Sequence, residues 1–155
     1  MTAPTLTHGR FTLERFYPHA VERVFFAHAD KDTLYRWRVS GEGFVVHSHE
    51  LDFREGGREF SGFRYGDGPE MTFAAEYHVI IPNRRIVNTY RMTMGGEPLS
   101  VSLLTLDFLP EGGGARLLMT EQGAYFGDPA AVAGREEGMR ELLGLLGAEL
   151  DRTPA

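Results

Sequence analysis

The 155-residue chain contains no cysteine. That absence excludes a disulfide scaffold, a zinc–thiolate centre and a thiol nucleophile, and it agrees with a reducing, cytoplasmic setting. Lysine is almost missing too: Lys31 stands alone among 16 basic residues. Acidic residues number 22, giving a net charge of −6, and the basic residues form no run. A polyanion-binding surface needs the opposite balance, which argues against nucleic acid and anionic membrane as partners. No window approaches the ~18 apolar residues of a membrane-spanning helix, and Met1–Gly9 lacks the charged and apolar segments of a signal peptide. Also missing are a Gly-x-Ser-x-Gly elbow, a phosphate-binding loop and a dinucleotide fingerprint, because Gly112–Gly114 joins two strands and opens no helix. With no repeat and no linker-like stretch, a single domain over residues 9–151 is expected, with frayed ends at 1–8 and 152–155.

What is present is strongly patterned. Pro129 to Leu150 has helical period, with Val132, Met139, Leu142, Leu143, Leu146 and Leu150 forming one apolar stripe. The same run carries Gly134, Gly138, Gly144 and Gly147, each costing about 1 kcal/mol relative to alanine inside a helix. Stepping at roughly 100° per residue puts Gly138 and Gly147 on the two shoulders of the stripe, where a side chain would strike a strand. Gly134 and Gly144 point outward and have no packing reason.

Upstream, Phe11 and Leu13 alternate as a first strand stopped by Pro18, and Ala20–His28 is helical. Asp30 or Asp32 caps a second short helix running through about Trp37. From Phe44 the period becomes two: Val45, His47, His49, Leu51 and Phe53 share one face of a strand. Further strands follow at hairpin spacing, divided by Gly56-Gly57, Gly66–Pro69, Pro82-Asn83, Gly95-Gly96 and Gly112–Gly114. Asp128 and Pro129 then open the long helix. The order predicts an α+β fold, a curved antiparallel sheet of six to seven strands around a long C-terminal helix, with two short helices after the first strand.

FTLERFYPHAVERVFFAHAD (Phe11–Asp30), Trp37, LDFREGG (Leu51–Gly57), AEYHVIIPNRRIVNTY (Ala75–Tyr90), GGGARLLMTEQG (Gly112–Gly123) and the EGM-x-x-LL element (Glu137–Leu143) occur in an order that resembles the SRPBCC, or START-like helix-grip, superfamily. Within it the chain resembles the branch related to the heat-shock protein 90 ATPase activator. The resemblance implies seven strands gripping the last helix, with a hydrophobic cavity between them. The chain departs from the branch at Met139, where tryptophan is common, and at Glu121-Gln122, where His-Glu is common.

His47-x-His49 is the sharpest local signal for chemistry: on a regular strand both imidazoles project from one face, and with Glu121 they form a candidate acid–base or metal group. The plainer alternative is hydrogen bonding in or beside the core. Glu121 shares a face with Leu117 and Met119, so it either has a partner or reaches solvent at the strand end. Tyr77, Asn88, Tyr90 and Met92 are candidate pocket residues, with Met119, Met139 and Leu143 from the last strand and helix, and Trp37 at the cavity mouth or as a packing anchor. The leading functional expectation is a binding protein for an apolar or aromatic small molecule, with no metal or other cofactor assigned. An enzyme of the cyclase, dehydratase or hydrolase kind requires two of His47, His49 and Glu121 to meet in one cavity. A chaperone-accessory role, with a chaperone partner or a homodimer, follows from the resemblance alone.

Overall fold

A computed structural model describes residues 3–152. Seven strands form one antiparallel sheet: β1 (Leu6–Tyr17), β2 (Phe44–Leu51), β3 (Arg58–Tyr65), β4 (Met71–Ile81), β5 (Arg85–Met94), β6 (Glu97–Glu111) and β7 (Gly114–Phe126). Their order is β1-β7-β6-β5-β4-β3-β2, so consecutive hairpins build six strands and the first strand closes onto the last. The helix α3 (Ala130–Arg152) lies in the curve of this sheet, and α1 (Val21–Ala29) and α2 (Lys31–Leu34) sit between β1 and β2. This is the expected architecture, with seven strands.

Alternation explains the core. Phe11 and Leu13 on β1, Leu104, Leu106 and Phe108 on β6, and Leu117 and Met119 on β7 are buried with Met139, Leu143, Leu146 and Leu150 of α3. Each is two residues from the next on its strand, or three or four on the helix, so one sheet face and one helix stripe meet. The Tyr17 hydroxyl donates to the Leu143 carbonyl at 2.7 Å, fixing the end of β1 to the middle of α3.

β1 begins at Leu6, inside the stretch expected to fray. Leu6, Thr7 and His8 pair with Phe126, Tyr125 and Ala124, and the Gly127 N–H donates to the Thr5 carbonyl at 2.8 Å. These residues carry no apolar alternation, so nothing local announced the strand; the β7 backbone supplies the partner. The helix α3 likewise extends through Arg152, while 1–2 and 153–155, also expected to fray, lie outside the described residues.

The second short helix is capped by Asp30, whose Oδ2 accepts from the Thr33 N–H at 3.1 Å. It does not run on as α-helix through Trp37. From Tyr35 to Val39 the chain takes a π turn, closed by the Ser40 N–H donating to the Tyr35 carbonyl at 2.8 Å. The wider turn puts Trp37, Arg38 and Val39 on the wall beneath α3.

The helix glycines differ from expectation. A Cβ on Gly138 would meet nothing within 4 Å, because Gly138 faces a cavity and not a strand. At Gly147 a Cβ would lie 3.4 Å from Tyr17 and Arg15 atoms, a tight but bearable contact. The shoulder position is right in both cases, yet the sheet curves away from Gly138. Gly134 also has open space around it, and Gly144 meets only the Arg15 guanidinium at 3.5 Å.

Candidate functional site

The space beside Gly138 is a cavity of about 390 Å³ between α3, the π turn and strands β2 to β7. Its wall is apolar and adaptable. Met71, Met92, Met119 and Met139, four of the six methionines, border it, and thioether side chains fill irregular shapes readily. Trp37, Phe73 and Tyr90 supply flat aromatic surface, and Leu142 and Leu143 close the helix side. At the mouth stand Phe44 and Tyr65, 41% and 63% exposed, packed edge to face at 5.3 Å.

Two buried ion pairs break this apolar lining. Arg38 pairs with Glu59, whose other oxygen accepts the Tyr77 hydroxyl at 2.9 Å. Arg135, on α3, lies 3.6 Å from Glu121 and donates to the Tyr90 hydroxyl and to Ser100 Oγ, both at 2.8 Å. Glu121 itself is wholly buried and accepts hydroxyls from Tyr90 at 2.5 Å, Tyr125 at 2.6 Å and Ser102 at 3.0 Å. Burial raises the Tyr90 and Tyr125 hydroxyl pKa values well above the ordinary tyrosine range, so both remain donors to the carboxylate. Arg38 lies over the Phe73 ring at 5.1 Å, Phe73 stacks on Tyr90 at 4.9 Å, and Arg135 lies over Tyr90 at 5.7 Å. Each of the two stacked rings thus has a guanidinium beside it.

Of the residues singled out in the sequence, Trp37, Tyr90, Met92, Met119, Met139 and Leu143 border the cavity. Trp37 is also an anchor, its Nε1–H donating to the Ala27 carbonyl at 2.8 Å. Tyr77 and Asn88 face each other across β4 and β5 in the buried core and do not border the space. Glu121 does not reach solvent; it sits behind Tyr90, closed off by its hydroxyl donors.

The histidine pair lies on an irregular stretch of strand. A β-bulge between Val46 and Ser48 breaks the regular alternation of β2, and the two imidazoles take different partners. His47 Nε2 contacts Glu70 at 2.9 Å on the outer side, beside Arg64. His49 turns inward, where Nδ1 meets Ser61 Oγ at 3.1 Å. Both border a second, shallower recess with Lys31, Asp32 and Tyr35, away from Glu121. Two of the three candidate acid–base groups, His47 and His49, thus border one recess, and Glu121 is not part of it. Among the described residues no three His, Asp or Glu side chains group as a metal site.

Arg38, Glu59 and Arg135 escaped the sequence reading. A signal existed for one of them: Arg135 falls three residues after Val132 and four before Met139, on the helix stripe itself.

His28 also borders the cavity, edge-on to Trp37 and Phe108 at 5.1 and 5.3 Å. Its Nδ1 donates to the Val24 carbonyl at 2.9 Å, and burial pushes its pKa down from 6.5 to about 4. The unfolded chain takes up this proton near pH 6.5 and the folded chain only near 4. Stability is therefore full above pH 6.5 and falls by roughly 3 kcal/mol as pH drops toward 4. Burial lowers His49 as well, adding to the same slope. Urea midpoints between pH 7 and 4 should show this fall, and His28→Phe should flatten most of it.

The geometry can be set beside known proteins. The sequence profile for activator of Hsp90 ATPase homolog 1-like proteins matches residues 18–151. The chain belongs to this family. The activator of Hsp90 ATPase homolog 1-like fold recurs in solved structures with little change. The Mll3558 protein from Rhizobium loti is 49% identical over 94% of this chain and 99% of its own, with a TM-score of 0.86. An uncharacterized protein from Rhizobium leguminosarum is 30% identical over 98% of this chain and 100% of its own, with a TM-score of 0.92. The CV1439 protein from Chromobacterium violaceum is 28% identical over 90% of this chain and 94% of its own, with a TM-score of 0.77. No curated protein matches the chain. Membership of the activator of Hsp90 ATPase homolog 1-like family supports a ligand-binding or accessory role in general. No helix among the described residues is long and apolar enough to cross a membrane.

Proposed function

We propose that this protein binds an apolar or aromatic small molecule in the cavity between α3 and the sheet. The observation that carries the proposal is the cavity itself. A space of about 390 Å³ is within the range of small-molecule sites, and its wall is mostly methionine, leucine and aromatic side chains with a few placed polar groups. Such a void adds nothing to stability when empty, since unfilled space forfeits packing contacts. The exposed Phe44 and Tyr65 at the mouth fit an entry route for an apolar molecule.

Trp37 is the only tryptophan and borders the cavity, so its emission reports on the site alone. Titration with N-phenyl-1-naphthylamine, an uncharged fluorescent probe, should quench Trp37 by energy transfer and saturate at one probe per chain in the micromolar range. Absence of saturable quenching would sink the reading. A chaperone-accessory role is the second reading; it rests on the family description and on the same exposed mouth residues as a docking point.

A further inference from the structure

We infer that the ligand is an uncharged aromatic or unsaturated molecule carrying carbonyl-type hydrogen-bond acceptors, and that the cavity selects against organic anions. This rests on the ligand-binding reading above and names the chemical class it would take.

The charges on the wall come first. Arg38 and Arg135 border the cavity, which at first sight invites a carboxylate. Each guanidinium, however, already has its own buried partner: Glu59 beside Arg38 on the wall, and Glu121 behind Arg135. His28 and Ser61, also on the wall, carry no charge at neutral pH. The formal charge of the site is therefore zero before anything enters. A carboxylate would bring an unbalanced negative charge into an apolar space, close to Glu59, which also borders the cavity.

Hydrogen-bonding capacity is not balanced in the same way. The carboxylate oxygens are occupied: Glu121 is closed off by three hydroxyls, and Glu59 holds Tyr77 and Arg38. A guanidinium carries more N–H donors than the contacts here use. Arg38 is in contact with Glu59 through Nη2, and Arg135 donates from Nη1 and Nη2 to Tyr90 and Ser100. The wall thus has donors to spare around a net charge of zero. The group that takes up such donors without adding charge is a ketone, ester or quinone oxygen. The stacked Phe73 and Tyr90 rings, each with a guanidinium nearby, supply aromatic wall for a planar skeleton to lie beside.

A matched series on one skeleton tests this: 2-ethylnaphthalene, 2-acetylnaphthalene and 2-naphthoate, each titrated against the bound N-phenyl-1-naphthylamine at pH 7.5. The ketone should displace the probe at about one-tenth the concentration of the hydrocarbon, the gain expected from a hydrogen bond to a charged donor. The naphthoate should be weaker than the hydrocarbon by a similar factor or more. In the double variant Arg38→Met/Glu59→Gln, which removes the pair together, the ketone's advantage should shrink while the hydrocarbon still binds. Naphthoate binding as tightly as the ketone overturns the inference. So does a ketone no better than the hydrocarbon, although the probe's own saturation would then leave the binding reading standing. Failure of the probe and of all three compounds overturns both. The series is measured on the unaltered protein, so its outcome does not depend on the variant folding.

Discussion

Gly138→Leu should leave the protein folded and more stable while closing its cavity. The Gly138 Cβ position has no neighbour within 4 Å and faces the cavity, so a leucine there occupies empty space. Replacing a helix-interior glycine gains about 1 kcal/mol of propensity, and burying the new side chain adds up to ~2 kcal/mol. In a chain of this size that corresponds to a rise in melting temperature of roughly 4–10 °C. Saturable probe binding should fall by at least about tenfold, since the leucine competes for the same volume. Circular dichroism melts and the Trp37 quenching titration measure the two effects on one sample. A lower melting temperature would mean that the leucine meets the sheet after all. Unchanged binding would place the probe elsewhere.

Glu121→Ala should be among the most damaging single changes in the chain. It leaves the Tyr90, Tyr125 and Ser102 hydroxyls without their acceptor and Arg135 without its counter-charge, all within or beside the core. Breaking a buried pair on one side costs about 3–5 kcal/mol. Glu121→Gln also removes the counter-charge of Arg135 but keeps one acceptor oxygen and the side-chain volume, so its loss should be smaller than that of alanine by ~1 kcal/mol. The double change Glu121→Leu/Arg135→Met should recover much of the alanine loss, because no charge is left stranded. Urea unfolding of the three variants ranks them directly. An alanine variant within about 1 kcal/mol of the parent would show that the cluster is not the tightly coupled unit its distances imply.

The fold was largely legible because the sheet buries one face, and one-sided burial writes itself as period-two alternation from Phe44 onward. The long helix was legible for the matching reason at a period of three to four. What alternation cannot show is a change of phase. On β2 the bulge at His47 inserts one residue, so simple alternation no longer fixes how His47 is placed relative to His49. On β3 the polarity is reversed: Glu59 is buried and Phe60 is 38% exposed, because Glu59 is matched to Arg38 on a π turn that period-counting reads as ordinary helix. The polar part of the site was hidden for one reason. Its members come from the π turn, the strands β3 to β7 and α3, and each alone reads as an ordinary surface charge or core residue. Only Glu121, an acid on an apolar face, stood out, and its partners could not be named from the chain.

The pairing of β1 with β7 joins the beginning of the sheet to a strand more than a hundred residues later, Leu6 opposite Phe126. During synthesis the hairpins from β2 to β6 can form as they emerge, but β1 has no partner until β7 is complete, and the hollow has no floor until α3 follows. The slow step is therefore expected to be a late, long-range closure, in the millisecond-to-second regime typical of sheets dominated by distant contacts. Until then the apolar wall lies open to whatever molecule is nearby. A ligand present at that moment would be enclosed by the act of folding, with no need to enter past Phe44 and Tyr65 afterwards.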